Sequence, residues 1–123
     1  MNVPVATSIR PSHLTLGVND VEISERFYRD TLGLPTVRVG DDVEVQWPGF
    51  RLILTHRPPA TRAKFRFGFQ ADSASEVDAW AGHLRSSGVD IVSGPANNGS
   101  RRTAFFIDPD NYEIEIFFEN GKQ

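Results

Sequence analysis

The sequence contains no cysteine and a single methionine among its 123 residues. The absence of cysteine excludes disulfides, thiolate metal sites and a cysteine nucleophile, and it is compatible with a reducing compartment. No apolar run approaches the roughly 20 residues of a membrane-spanning helix, and the first residues lack the apolar stretch of a signal peptide. We therefore expect a cytoplasmic protein with no membrane partner.

The sequence also lacks an excess of basic charge. Lysine and arginine number 13 against 16 aspartate and glutamate residues, the formal net charge is −3, and no basic run occurs. Electrostatic capture of nucleic acid is therefore not expected. What is present is an ordinary globular composition, 39% hydrophobic, with nine phenylalanines. A chain of this size predicts a single domain, residues 1–123, that is large enough for a hydrophobic core.

The most strongly patterned stretch is TAFFIDPDNYEIEIFF, residues 103–118. Its centre, Asp108–Asn111, predicts a turn, because proline presets the second turn position while aspartate and asparagine bond the local backbone and tolerate left-handed geometry. The flanking β-branched and aromatic residues predict a β-hairpin. The second strand alternates, with one face apolar and the other carrying two carboxylates and a ring. These three residues are Glu113, Glu115 and Phe117.

The rest of the chain repeats one order of elements. The first half predicts a strand over 13–18, a helix N-cap at 19–20, a helix over 21–32, and strands over 36–39, 43–47 and 50–55. After the proline-rich segment 56–63, the second half predicts a strand over 64–71, a helix over 75–87, a strand over 89–93, a loop over 94–100 and the hairpin. The order βαβββ thus occurs twice, which is typical of an internal repeat.

Three motifs, HLTLGVNDVEISERFYRDTLGLP, FRFGFQADSASEVDAW and DPDNYEIEIF, resemble in the same order those of the vicinal oxygen chelate superfamily, also called glyoxalase/bleomycin-resistance/dioxygenase proteins. The resemblance covers residues 9–118. It implies an α+β fold in which two βαβββ modules form a curled mixed sheet around a concave cavity, with the helices outside. Module 1 would span about residues 9–56, the linker about 57–63 and module 2 about 64–118.

The resemblance also implies a metal site. Enzymes of this superfamily hold a divalent metal through histidine, glutamate or glutamine from the first and last strands of the two modules. Carried over by position, the ligands here are His13 and Glu115, which suit Fe, Mn, Ni or Zn. The other two ligand positions hold Arg66 and Ile53. A guanidinium has no lone pair to give, so the set falls short of the three protein donors of a catalytic site.

We therefore hypothesise that Arg66 pairs with Glu115 in a metal-free cavity whose cationic edge holds an anionic ligand. Trp47 would stack on a planar ligand, and Arg101, together with Arg102, would clamp a carboxylate or phosphate. The substrate-binding residues predicted in this way are Arg66, Trp47, Arg51, Arg101 and Phe117. The predicted catalytic carboxylates are Glu115 and Glu113.

Three functions remain open from the sequence. The first is binding of a small molecule by a homodimer without a cofactor, as in the antibiotic-sequestering branch of the superfamily. The second is a metal-dependent lyase, isomerase, thiol transferase or dioxygenase that uses His13 and Glu115. The third is metal-free catalysis, with Glu113 or Glu115 as the base and Arg66 stabilising an enolate. Arg66 and Ile53 argue against the metal enzyme, whereas the presence of both His13 and Glu115 argues against complete loss of the metal site.

Overall fold

The computed structural model describes residues 10–59 and 66–120. The chain divides into two compact units, Met1–Pro59 and Ala60–Gln123. Within the described residues each unit has the order βαβββ and one four-stranded mixed sheet, curled and not closed. The predicted α+β architecture of two βαβββ modules is confirmed. No helix in the described ranges combines the length and the apolar character needed to cross a membrane.

Unit 1 consists of β1 (His13–Val18), α1 (Val21–Arg26) with a π-helical continuation (Phe27–Thr31), β2 (Thr36–Val39), β3 (Asp42–Trp47) and β4 (Phe50–His56). The sheet order is β1-β4-β3-β2, with β1 parallel to β4 and the other pairs antiparallel. Alternation along the strands buries one side of the sheet, and α1 packs against β3 and β4. The buried strand residues are Leu16, Val18, Val43, Val45, Leu52 and Leu54.

The first helix begins where the sequence predicts but does not remain α-helical. Asp20 accepts hydrogen bonds from the backbone N–H groups of Glu22 and Ile23, at 2.9 and 3.1 Å. The predicted α-helix over residues 21–32 becomes π-helical over Phe27–Thr31. In this wider turn Phe27 and the adjacent Tyr28 are both buried, as their helical spacing predicts, but that spacing does not distinguish a π-helical turn from an α-helical one.

Replacing Asp20 with alanine is expected to lower the free energy of unfolding by about 1 kcal/mol, because two N–H groups at the helix start lose their acceptor. Urea denaturation followed by far-ultraviolet circular dichroism measures the change. Asp20→Asn keeps an acceptor oxygen and should lose less than half as much. An equal loss in both variants would contradict the capping role.

Unit 2 consists of β5 (Arg66–Gln70), α2 (Ala74–Ser86), β6 (Ile91–Asn98), β7 (Arg101–Ile107) and β8 (Glu113–Glu119). The sheet order is β5-β8-β7-β6, with β5 parallel to β8 and the other pairs antiparallel. Helix α2 packs against β6, β7 and β8. The buried residues of this layer include Val77, Ala81, Leu84, Ala104, Phe106, Ile114 and Ile116. Residues 64 and 65, where the fifth strand is predicted to begin, lie outside the described residues.

The predicted loop over residues 94–100 is wrong for most of its length, because β6 continues through Gly94 and Pro95 to Asn98. Two register irregularities, between Ile91 and Ser93 and between Ser93 and Ala96, interrupt the pairing with β7. Irregular pairing and an edge position both accommodate a glycine–proline pair that a central strand would exclude. The same two residues are the reason that the sequence pattern predicts a loop.

The predicted turn at the tip of the last hairpin is confirmed. Asp108 is only 3% exposed, and its Oδ1 accepts the backbone N–H groups of Asp110 and Tyr112 at 2.9 and 3.0 Å. Asn111 adopts the left-handed conformation with φ of 67°. The turn sets the register of β7 on β8, in which Phe105 is opposite Glu115.

Candidate functional site

Charged and aromatic side chains concentrate on the side of the unit 2 sheet that faces away from α2. Successive residues of a strand point to opposite sides, so the register of β5, β7 and β8 identifies the residues that share this side. We call this side the charged face. Its members that matter here are Arg66, Gly68, Arg101, Thr103, Phe105, Glu113, Glu115, Phe117 and Glu119.

Glu115 is the central residue of the charged face, and its side chain is 13% exposed. Its Oε2 accepts hydrogen bonds from Thr103 Oγ1 at 2.6 Å and from Arg101 Nη1 at 3.1 Å. No described residue donates to Oε1, which lies near Gly68, since a Cβ added at position 68 would come within 3.6 Å of it. One carboxylate oxygen is therefore held in place by two donors, whereas the other has no donor among the described residues.

Arg101 connects two carboxylates and covers a ring. Besides Glu115, it reaches Glu119, whose Oε1 lies 3.3 Å from Arg101 Nη2, and its Cζ lies 4.2 Å from the centroid of the Phe117 ring. The hydrogen bond to Glu115 raises the pKa of Arg101 above its ordinary value, although desolvation opposes the shift. The guanidinium is therefore always charged beside Glu115.

The hypothesis that Arg66 pairs with Glu115 is wrong. Arg66 Nη2 lies 3.2 Å from Glu113 Oε2, and Arg66 Cζ lies 4.6 Å from the centroid of the Phe105 ring. The reason is the register, because parallel β5 and β8 align Arg66 with Glu113 and Gly68 with Glu115. Since the Arg66 side chain is 57% exposed, this ion pair contributes little to stability.

Among the described residues, the charged face carries more acidic than basic groups. Two guanidinium groups are paired with three carboxylates, Arg66 with Glu113 and Arg101 with Glu115 and Glu119. The set therefore has a net charge of −1 and no unpaired guanidinium. In the described part of this face, the ion-paired groups therefore carry a small negative charge and do not form the cationic edge expected from the sequence.

Arg102 does not join Arg101 in a clamp. Its Nε and Nη2 donate to Oδ1 of Asp78 on α2, at 3.0 and 2.8 Å. Adjacent residues of a strand point to opposite sides, so Arg102 lies on the helix side of the sheet and Arg101 on the charged face. The predicted clamp of two consecutive arginines is therefore wrong.

The remaining predicted site residues lie in unit 1. His13 is exposed, with Nδ1 2.8 Å from Ser12 Oγ, and it is the register partner of Arg51, while Ile53 follows two residues later on the same side of β4. Trp47 alternates onto the other side of the sheet, and its ring centroid lies 6.3 Å from that of Phe50. His13 and Arg51 thus lie on one face of the sheet, and Trp47 lies on the opposite face.

Sequence reasoning missed the residues that hold Glu115 and complete the charged face, namely Thr103, Phe105 and Glu119. A signal for them was available. Strict alternation from Arg101 places Thr103 and Phe105 on the same side, and a tight turn at 108–111 pairs this strand with residues 113–119. The buried threonine that donates to the central carboxylate follows from these two rules together.

Comparison with known proteins decides the family. A model of the family described as the Glyoxalase/Bleomycin resistance protein/Dioxygenase superfamily matches residues 10–116. The chain belongs to this superfamily. The resemblance inferred from the three sequence motifs is therefore confirmed, and the two βαβββ units are those of a superfamily member.

Individual relatives in the superfamily are distant. The lactoylglutathione lyase of Haemophilus influenzae is 29% identical over 124 aligned positions, which cover 88% of this chain and 90% of that protein. A glyoxalase/dioxygenase from Nostoc punctiforme, 23% identical, shares the fold with a TM-score of 0.80 over 97% of this chain and 98% of its own. A glyoxalase/bleomycin resistance protein from Albidiferax ferrireducens is 28% identical, with a TM-score of 0.74 over 88% and 97% of the two chains.

Metals are frequent cofactors in the superfamily, so the available donors decide whether this chain fits one. Among the residues described here, no three histidine, cysteine, aspartate or glutamate side chains group closely enough to hold a metal ion. Arg66 and Ile53 offer no lone pair at the two other predicted ligand positions. The side-chain donors in the described ranges therefore do not fit a centre with three protein ligands.

Proposed function

We propose that this protein is a small-molecule-binding member of the superfamily with an incomplete metal site, and that its ligand contacts the charged face of unit 2. The observation that carries the proposal is the engagement of Glu115 Oε2 by Arg101 and Thr103. A carboxylate binds a cation through its negative charge. The negative charge of Glu115 is already balanced by the guanidinium of Arg101. Ion binding at Glu115 would have to displace Arg101 or act against its positive charge.

The composition of the charged face supports a particular class of ligand. The net charge of −1 opposes the anion predicted from the sequence, whereas Oε1 of Glu115 is an acceptor that no described residue uses. The rings of Phe105 and Phe117 add aromatic groups to the same face, and a guanidinium contacts one side of each ring. We therefore propose a planar ligand that carries a cationic or neutral hydrogen-bond donor.

A metal-dependent lyase is the alternative function. It is supported by the 29% identity to the lactoylglutathione lyase of Haemophilus influenzae and by the presence of His13 and Glu115 at predicted ligand positions. In this alternative, Arg101 releases Glu115 and a water or the substrate completes the ligand set.

We also propose that two copies of the chain associate. This part of the proposal is supported by the frequency of dimers among superfamily members. Sedimentation velocity on the purified protein tests this part of the proposal separately from ligand binding. A dimer is expected, and a monomer at micromolar concentration would contradict it.

Metal content is the first test of the proposed function. Elemental analysis of the purified protein should give much less than one equivalent of Fe, Mn, Ni or Zn, and adding each metal should leave the melting temperature unchanged. A tightly bound metal stabilises the folded state by RT ln(1 + [L]/Kd), about 2.7 kcal/mol at one hundred times Kd. A stoichiometric metal whose effect is abolished by His13→Ala would overturn the proposal in favour of the lyase.

Ligand class is tested with two probes of the same shape and opposite charge, benzamidine and benzoate. Backbone amide shifts along β8 should respond to benzamidine and not to benzoate, and Glu115→Gln should weaken benzamidine binding about tenfold, since a hydrogen bond to a charged group contributes roughly 1.5–3 kcal/mol. Glu22→Gln, which neutralises an exposed carboxylate of unit 1, is the control. Preference for benzoate, or equal binding by Glu115→Gln, would contradict the proposed ligand chemistry.

A further inference from the structure

Unit 1 has a second group of charged side chains, on the side of its sheet that faces away from α1. Antiparallel β3 and β4 place Gln46 opposite Arg51 and Glu44 opposite Ile53. Because Val43 and Val45 are buried on the helix side, alternation directs Glu44 and Gln46 to the other side. None of these groups has a part in the function proposed for unit 2.

Glu44 is mostly covered but poorly paired. Its side chain is 16% exposed, and its Oε1 accepts from Gln46 Nε2 at 3.3 Å. Arg51 Nε lies 3.6 Å from the same oxygen, which is too long for a hydrogen bond. No described residue donates to Glu44 Oε2 or accepts from either Nη group of Arg51. Glu44 Oε2 can therefore accept a hydrogen bond from another molecule, and the two Nη groups of Arg51 can donate to it.

The strand neighbours of Glu44 are aliphatic. Val37 is its register partner on β2 and Ile53 its register partner on β4, and Val37 is among the exposed large hydrophobic residues. Desolvating a carboxylate between two aliphatic side chains costs free energy. A long ion pair to a half-exposed arginine offsets only a small part of that cost. Local arrangements that disfavour folding are typical of binding positions.

We propose that this side of unit 1 binds the zwitterionic head of an aliphatic amino acid or of a molecule with the same head group. The ligand ammonium donates to Glu44 Oε2, the ligand carboxylate accepts from the Nη groups of Arg51, and the aliphatic part lies on Val37 and Ile53. A guanidinium fork matches the two oxygens of a carboxylate. The groups that carry this proposal, Glu44 and Arg51, differ from those that carry the function proposed for unit 2.

Charge balance distinguishes a zwitterion from simpler ions at this position. Glu44 and Arg51 together are neutral, so a ligand with only a positive group leaves Arg51 unmatched, and a ligand with only a negative group leaves Glu44 unmatched. A zwitterion satisfies both groups at once. The ammonium and carboxylate of an amino acid are joined by one carbon, which suits two protein groups that already lie side by side.

The test uses three probes that share one aliphatic body: L-leucine, isoamylamine, which lacks the carboxylate, and 4-methylpentanoate, which lacks the ammonium. Backbone amide shifts of the full chain are followed during titration. Leucine should shift the amides of residues 44–46 and 51–53 with a millimolar Kd, and each truncated probe should bind about tenfold more weakly, the change expected for one lost charged contact. Absence of leucine binding at about 20 mM would overturn the proposal, since it excludes a millimolar Kd.

Two variants separate a binding role from a structural one. Glu44→Gln and Arg51→Gln should each weaken leucine binding about tenfold, while the melting temperature of Glu44→Gln stays the same or rises, because a poorly paired carboxylate is removed. Glu22→Gln, at an exposed carboxylate 3.6 Å from Arg38, should bind leucine like the unmodified protein. Unchanged binding by Glu44→Gln, or a lower melting temperature for that variant, would overturn the proposal.

Discussion

Replacement of Gly94 by alanine is expected to lower the free energy of unfolding by about 2–5 kcal/mol, the sum of a left-handed backbone penalty and of overpacking. Gly94 has φ of 83° in β6. A Cβ at this position would lie 2.5 Å from the carbonyl oxygen of Thr103 and 2.9 Å from Cα of Ala104. Both contacts are to backbone atoms of the neighbouring strand, so no side-chain rotation relieves them.

Urea denaturation of Gly94→Ala against the unmodified protein measures the loss, and Gly99→Ala is the matched control. Gly99 also has a positive φ, 62°, but an added Cβ would meet no atom within 4 Å. Its expected cost is therefore the backbone term alone, about 1–2 kcal/mol. Equal losses in the two variants would show that the close approach of β6 and β7 is not what requires glycine at position 94.

The same substitution links the fold to the site. A Cβ at position 94 would clash with the carbonyl oxygen of Thr103. The hydroxyl of the same Thr103 donates a hydrogen bond to Glu115 Oε2. Where Gly94→Ala still folds, β7 must move away from β6, and the hydrogen bond from Thr103 to Glu115 moves with it. Amide shifts at residues 103 and 115 should therefore change in Gly94→Ala and remain unchanged in Gly99→Ala.

Removal of the Asp108 carboxylate is expected to be comparably severe. Its Oδ1 accepts two backbone N–H groups, from Asp110 and Tyr112, and Asp108 takes part in a further interaction. A buried donor that loses its acceptor costs about 1–3 kcal/mol. Asp108→Ala leaves two such donors, and we expect a loss of about 2–5 kcal/mol.

Thermal and urea denaturation of Asp108→Ala are compared with those of Asp108→Asn, which keeps an oxygen at the same place and removes only the charge. The loss of stability in Asp108→Asn should be less than half of the loss in Asp108→Ala, because both N–H groups keep an acceptor. If asparagine is as destabilising as alanine, the charge of Asp108 and not the two hydrogen bonds at the turn accounts for its effect.

Much of the fold could be read from local patterns. Period-two alternation located β1 and β8 with the correct side inward, and an aspartate before an apolar periodic stretch located the start of α1. The same rules failed where packing overrides local preference. The predicted α-helix ends in a π-helical turn at Phe27–Thr31, and β6 accommodates a glycine–proline pair because it is an irregular edge strand.

Five of the predicted site residues share one sheet face in the candidate site, but the contacts among them differ from those predicted. Arg66, Arg101, Glu113, Glu115 and Phe117 were all predicted, and the structure places them on one face of unit 2. Their pairing was predicted incorrectly, since Arg66 contacts Glu113, and Arg101 contacts Glu115. Glu44 and Gln46 were not predicted at all, because their significance depends on the strands beside them.

The sequence by itself determined the repeated βαβββ order and the side of each strand on which a residue lies, because these follow from periodicities within single segments. The family followed from the resemblance of three motifs and from the match of the family model. Only the tertiary structure decided that Arg66 meets Glu113 and not Glu115. That contact depends on the parallel register of β5 on β8, and no single turn sets this register because a helix and two further strands lie between them in sequence. A parallel register that aligns Gly68, and not Arg66, with Glu115 is what leaves that carboxylate to Arg101 and Thr103.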